Sequence, residues 1–162
     1  MAKQPDRRPI PHYIAEAFTD DEIISSAKLI LRERFKRGIE ITNPTTSKDY
    51  VHLELAEHEQ EVFACIFLDN RHRVILFEKL FFGTLADANV HPREVVKRTL
   101  ELNAGAVILA HNHPSGIAEP SIADRSITKR LQNALELIDV RVLDHIVVGA
   151  EEVVSFAERG LL

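Results

Sequence analysis

His111 and His113 stand two residues apart at the end of the apolar run Ala106, Val107, Ile108, Leu109 and Ala110, and imidazoles at that spacing suit metal binding. The run reads as a short buried strand. Side chains alternate along a strand, so both histidines project from one side if the extended conformation continues through His111. Pro114, Ser115, Gly116 and Pro120 then break the strand. From 121 to 137 the apolar residues Ile122, Ile127, Leu131 and Leu135 recur at helical spacing, which puts Asp124 in the first turn of a helix. A carboxylate there can reach back to the strand end. Two histidines and one aspartate make three ligands and leave the fourth tetrahedral position of a zinc ion to water, the arrangement of a catalytic rather than a structural zinc.

Each part of this pattern also has a plainer reading. Ser121 and Asp124 have the spacing of a helix-capping pair, and an acid in the first turn is favoured by the helix dipole. A His-x-His pair by itself is often incidental. Two histidines on one face, a tight loop and an acid placed to return to them together favour a metal ion, with Ser121 free to cap the helix as well.

The elements that must hold these residues can be read from periodicity and punctuation. Residues 1–11 are polar and proline-rich and read as a disordered leader. Ile23, Ile24, Ala27, Leu29, Ile30, Leu31 and Phe35 mark an amphipathic helix over 20–37, ended by Gly38. Its basic cluster, Arg32, Arg34, Lys36 and Arg37, fits a solvated helix C-terminus completing the dipole. A second helix is expected from the punctuation at 43–47 to about 57. The unbroken apolar run 62–68 reads as a strand buried on both faces, and a turn at Asp69, Asn70 and Arg71 joins it in a hairpin to a strand over 72–82 closed by Gly83. His91 and Pro92 open a helix through 102, and 140–148 reads as a late strand. This order predicts an α/β (α+β) fold, a mixed β-sheet flanked by helices.

Composition narrows the function. With 162 residues and 45% hydrophobic content, the chain holds one catalytic domain and a closed core. No long apolar span or signal peptide is evident, so a cytoplasmic protein with no membrane partner is expected. The one cysteine, Cys65, lies inside an apolar strand and excludes both a disulfide framework and a Cys-rich zinc knuckle within one chain. It also excludes a deaminase site, which needs a Pro-Cys-x-x-Cys run. His-Glu-x-x-His and the glycine-rich phosphate loops are absent as well. His12, His52, His58 and His72 read as surface residues, and His91 as a residue that orients a helix start. Asp144 and His145, adjacent on a strand, face opposite sides, so at most one of them can support the site.

The spacing His111, Asn112, His113, seven residues, Ser121, two residues, Asp124 resembles the JAMM signature of the JAB/MPN metallohydrolases in full. The six residues from His111 to Gly116 are more narrowly similar to the RadC-like branch, historically called DNA repair proteins. So are Leu68-Asp69-Asn70, the six residues from Val90 to Val95, the five from Val142 to Ile146, and the ending from Val154 to Gly160. The resemblance covers residues 45–162, leaving 1–44 as an N-terminal leader and helix without the helix-hairpin-helix part of longer members. It implies an architecture like that of cytidine deaminases, one Zn2+ per chain on His111, His113 and Asp124, and a glutamate just before a strand acting as general base. Glu57, Glu59 and Glu61 are equivalent by composition, and the resemblance selects Glu61. It further implies that Ser121 donates to an oxyanion and that the bond hydrolysed is a peptide or isopeptide amide.

Three functions remain open. The first is a zinc metallopeptidase acting on a peptide or protein substrate. The second is a DNA-repair-associated nucleic-acid-binding factor or metal-dependent nuclease, which the branch's historical name suggests. A net charge of −5 disfavours it, because duplex affinity rests largely on phosphate neutralisation. The third is an inactive scaffold, against which the retention of Glu61, His111, His113, Ser121 and Asp124 argues.

Overall fold

The computed structural model describes residues 18–34, 38, 40–41, 44–83 and 90–162. The leader at 1–11, His12 and the side chains of the basic cluster at 32–37 lie outside that description. Two apolar heptapeptides form the centre: β1 (Val62–Leu68) and β3 (Ala106–Asn112) are buried at every position. They lie side by side and antiparallel, with Phe63 opposite His111 and Leu68 opposite Ala106. The hairpin partner β2 (Val74–Phe82) flanks β1 on the outside, and β4 (Arg141–Val148) runs parallel to β3. A short β5 (Val153–Ser155) closes that edge, giving a mixed sheet in the order β2-β1-β3-β4-β5.

Helices cover both faces, which is why the central strands carry no polar alternation. On one face Tyr50, Val51 and Leu55 of α2 (Pro44–Leu55) pack with Ala64, Ile66, Leu68, Ile108 and Ile146. Leu31 of α1 (Asp20–Arg34) adds to that layer. On the other face Val95 of α3 (Pro92–Glu101) and Leu131 and Leu135 of α4 (Ile122–Glu136) pack with Phe63, Cys65, Phe67, Val107 and Leu109. Burial pushes the Cys65 thiol far above its usual range, so it acts as a small hydrophobe. The expected mixed sheet flanked by helices is the observed architecture.

Two elements differ from the sequence reading. The hairpin turn is longer than expected: β2 begins at Val74, because His72 takes a left-handed conformation (φ 57°) and Asp69 accepts from the amides of Arg71 and Arg73. Strand β5 was not expected, since three residues carry too little period to read. Among the described residues no helix is long and apolar enough to cross a membrane.

Candidate metal centre

The strand β3 delivers His111 to the face covered by α4, and the chain just beyond it delivers His113. Their Nε2 atoms lie 3.0 Å apart. The loop that carries His113 is fastened to the exit of β4: His113 N donates to Val148 O (2.8 Å) and Ala150 N to Gly116 O (2.9 Å). That approach is so close that a Cβ on Gly149 would fall 2.5 Å from Gly116 O, and Gly116 itself turns at φ 82°. Glycine is required at both places.

Asp124 arrives from the first turn of α4. Ser121 is the N-cap of that helix, and the capping box is complete: Ser121 Oγ accepts from Asp124 N (3.1 Å) and Asp124 Oδ2 accepts from Ser121 N (2.7 Å). The cap thereby aims the carboxylate, whose Oδ1 lies 3.1 Å from His111 Nε2 and whose Oδ2 lies 3.3 Å from His113 Nε2. The cap and the approach of the carboxylate to the two imidazoles are therefore one arrangement. Ser121 is exposed, and a hydroxyl that accepts from Asp124 N keeps its own hydrogen to donate.

The proton inventory of this cluster bears on what it could hold. His113 Nδ1 lies 2.7 Å from the carbonyl oxygen of Ile117, an atom that can only accept, so Nδ1 carries the ring proton and Nε2 of the neutral ring is bare. A bare nitrogen facing a carboxylate and a second imidazole nitrogen is repulsive unless a cation or a proton lies among them. The separations of 3.0–3.3 Å fit such an ion, since a tetrahedron with bonds of about 2.0–2.1 Å has edges of about 3.3 Å. His111, His113 and Asp124 can thus bind a metal ion. Without one, a proton takes its place: the hydrogen bond to Asp124 raises the pKa of His113 against the opposing effect of burial, with the Ile117 carbonyl and the charges of Asp124 and Glu61 adding to the rise. Burial of Asp124 would raise its pKa, but hydrogen bonds from the His111 and His113 rings in their protonated forms and from Ser121, with the charge of protonated His111, outweigh burial and hold the carboxyl far below the usual range.

Glu61 immediately precedes β1, and its charge is felt at His113. Gly83 N donates to its carbonyl (2.8 Å). Its rivals lie elsewhere: Glu57 pairs with Lys28 (2.6 Å) at the surface, and Glu59 is exposed. Asn112, the residue between the two histidines, points to the opposite face and is 3% exposed. Its Oδ1 accepts from Val62 N (2.8 Å) and its Nδ2 donates to the carbonyls of His58 and Gln60 (both 3.1 Å). It therefore clamps the backbone on both sides of Glu61.

Of the Asp144 and His145 pair, His145 faces the site. It is fully buried between Phe63 and Phe156, and its Nε2 lies 2.8 Å from His111 Nδ1. Its Nδ1 lies 2.6 Å from Thr128 Oγ1, and Thr128 donates to Asp124 O (2.5 Å). Burial first, then the neighbouring imidazoles, push the His145 pKa well below the ordinary range. Asp144 turns to the other face and holds the turn after β5, accepting from His145 N, Ala157 N and Ser155 Oγ. Thr128 was missed, although its place one turn after Asp124 was legible. His58, expected at the surface, is partly buried, with Nε2 3.0 Å from Lys79 Nζ. His91 caps α3 through its backbone alone, its ring set edgewise to Phe81.

Comparison with known families places residues 41–161 on the model of the RadC-like JAB domain. A UPF0758 protein of Nitrosococcus oceani is 61% identical over 132 residues, covering 82% of this chain and 59% of the relative. One of Thioalkalivibrio sulfidiphilus is 56% identical over 86% of this chain and 62% of the relative. A UPF0758 protein of Vibrio cholerae is 54% identical over 91% of this chain and 93% of its own length. The chain thus spans about three fifths of the length of the first two relatives.

Proposed function

Because the chain belongs to the RadC-like JAB domain family, we propose that it is a zinc-dependent hydrolase that cleaves a peptide or isopeptide bond with activated water. The observation that carries this reading is the convergence of His111 Nε2, His113 Nε2 and the Asp124 carboxylate with too few protons among them. Three protein ligands leave a coordination position for water, as hydrolytic zinc sites require. Zinc bound there would supply Lewis acidity and a water whose pKa falls toward about 7.

The remaining chemistry falls to the chain's own residues. Glu61 takes the proton released as the water oxygen adds to the amide carbon. It returns that proton to the nitrogen as the carbon–nitrogen bond breaks, so the amine leaves neutral. Such acid–base transfer contributes about 10² to 10⁴ in rate. Ser121 donates a hydrogen bond from its hydroxyl to the carbonyl oxygen as negative charge builds there. Its lone pair stays on Asp124 N, which fixes the hydroxyl and cuts the reorganisation needed during reaction.

A peptide partner suits the surroundings. Ile117, whose carbonyl orients His113, and Ile122, the first residue of α4, are 66% and 89% exposed and flank the cluster with apolar surface. A net charge of −5 gives little attraction for a phosphate backbone. The test is a panel of peptide, isopeptide and nucleic-acid substrates offered to zinc-loaded and chelated protein. Zinc-dependent amide cleavage is expected. Metal-dependent cleavage of DNA, with no amide cleaved, would overturn the reading.

A further inference from the structure

We propose that Thr128 and His145 act as positioning residues that fix His111 in the one tautomer able to ligate, through a hydrogen-bond chain that starts at the backbone carbonyl of Asp124. This inference rests on the metal-site reading above.

The chain's direction follows from which atoms own protons. The carbonyl oxygen of Asp124 has none, and Thr128 Oγ1 lies 2.5 Å from it, so the hydroxyl must point its single hydrogen there. This is the usual back-bond of a helical threonine to the carbonyl four residues earlier. Thr128 Oγ1 can then only accept from its second neighbour, so His145 Nδ1, at 2.6 Å, carries a hydrogen. The His145 ring is fully buried, packed by Phe63 and Phe156, and bears one hydrogen in its neutral form. Its Nε2 is bare. At 2.8 Å that nitrogen accepts from His111 Nδ1, which must be protonated. The neutral His111 ring therefore presents its lone pair on Nε2, the atom facing His113 and Asp124.

The same logic fixes the other imidazole by a shorter route, since Ile117 O orients His113 directly. Both ligand nitrogens are thus set by backbone carbonyls, which cannot change roles. Asp124 closes the loop: its side chain is a ligand, and its carbonyl, through Thr128 and His145, selects the tautomer of a second ligand. Behind metal-binding histidines the acceptor that does this is usually a carboxylate, a backbone carbonyl or a water. Here a neutral imidazole does it, which adds no negative charge beneath a site that already holds one carboxylate.

Nitrogen-15 spectra of the histidine rings test this in the metal-free protein. The expected result is His145 protonated at Nδ1 and bare at Nε2, with His111 protonated at Nδ1. The opposite tautomer of His145 would overturn the proposal whether or not the protein binds zinc. Conversely, failure to bind zinc with these tautomers in place would sink the metal reading and leave the chain's direction standing. Thr128→Val keeps the shape but removes the acceptor. His145 should then move its hydrogen to Nε2 and drive the hydrogen of His111 onto its ligating nitrogen. Zinc affinity should fall about 10- to 100-fold, and Thr128→Ser should restore both affinity and spectrum. A folded Thr128→Val variant with unchanged spectrum and zinc affinity would also overturn the assignment.

Discussion

The bare Nε2 of His113 faces Nε2 of His111 at 3.0 Å while its other ring nitrogen holds the carbonyl of Ile117 at 2.7 Å, so the pair is compatible only with a shared cation or proton. One metal ion per chain is therefore expected. Replacing His113 or Asp124 by alanine should weaken zinc binding by more than the 10- to 100-fold that residues behind a ligand are worth. Elemental analysis and chelator competition measure both. Zinc at one hundred times its Kd should add about 2.7 kcal/mol of stability, lost again on chelation.

The proton that replaces the metal gives a pH dependence of known sign. The pKa of His113 is raised above its ordinary 6.5, chiefly by the hydrogen bond to Asp124. In the metal-free protein this stabilisation is complete below the ordinary value and is lost as pH rises through the raised one. A metal ion must displace the same proton. Apparent zinc affinity should therefore climb with pH up to the raised pKa and level off above it. Affinity unchanged from mildly acid to alkaline pH would contradict this.

Glu61→Gln should bind zinc as the unaltered protein does and lose about 10² to 10⁴ in turnover, since the amide keeps the shape without the basicity. Asn112→Ala acts on the same residue through the backbone. It strands Val62 N and the carbonyls of His58 and Gln60, which costs about 1–3 kcal/mol for an unsatisfied buried group. Turnover should fall with zinc binding largely kept. Full activity in Glu61→Gln would assign the base role elsewhere, with exposed Glu59 the next residue to replace.

Ser121→Ala separates two roles of one hydroxyl. Losing the cap should cost about 1 kcal/mol, read from a denaturant midpoint. Losing the oxyanion donor should cost on the order of 10² in rate. A stability loss with rate unchanged would leave Ser121 as a cap alone.

Duplex DNA should bind no more tightly than the non-specific range of about 10⁻⁴ to 10⁻⁶ M, with the affinity falling steeply in salt. Filter or fluorescence titration at two salt concentrations checks this. Tight, salt-resistant binding to nicked or branched DNA would favour the nucleic-acid reading.

The meeting of His111, His113 and Asp124 was legible in the sequence because its geometry is local. A spacing of two along a strand puts His111 and His113 on one side, and the capping spacing puts Asp124 at the helix start. The apolar runs of β1 and β3 announced burial on both faces for the same reason. What surrounds the ligands was decided by strand pairing, which no local period encodes. Phe63 stands opposite His111 only in the β1–β3 register, and that register is what brings Glu61 near His113. His145 shows the point most sharply. Strict alternation from Val142, which packs on the α4 face, would turn Asp144 toward the metal ligands and His145 away. The register shift between β3 and β4 makes Leu143 an extra residue, with Val107 opposite Val142 and Ile108 opposite Asp144. One inserted residue reverses every side chain beyond it. That reversal brings a neutral imidazole to His111 and sends the carboxylate to the opposite face.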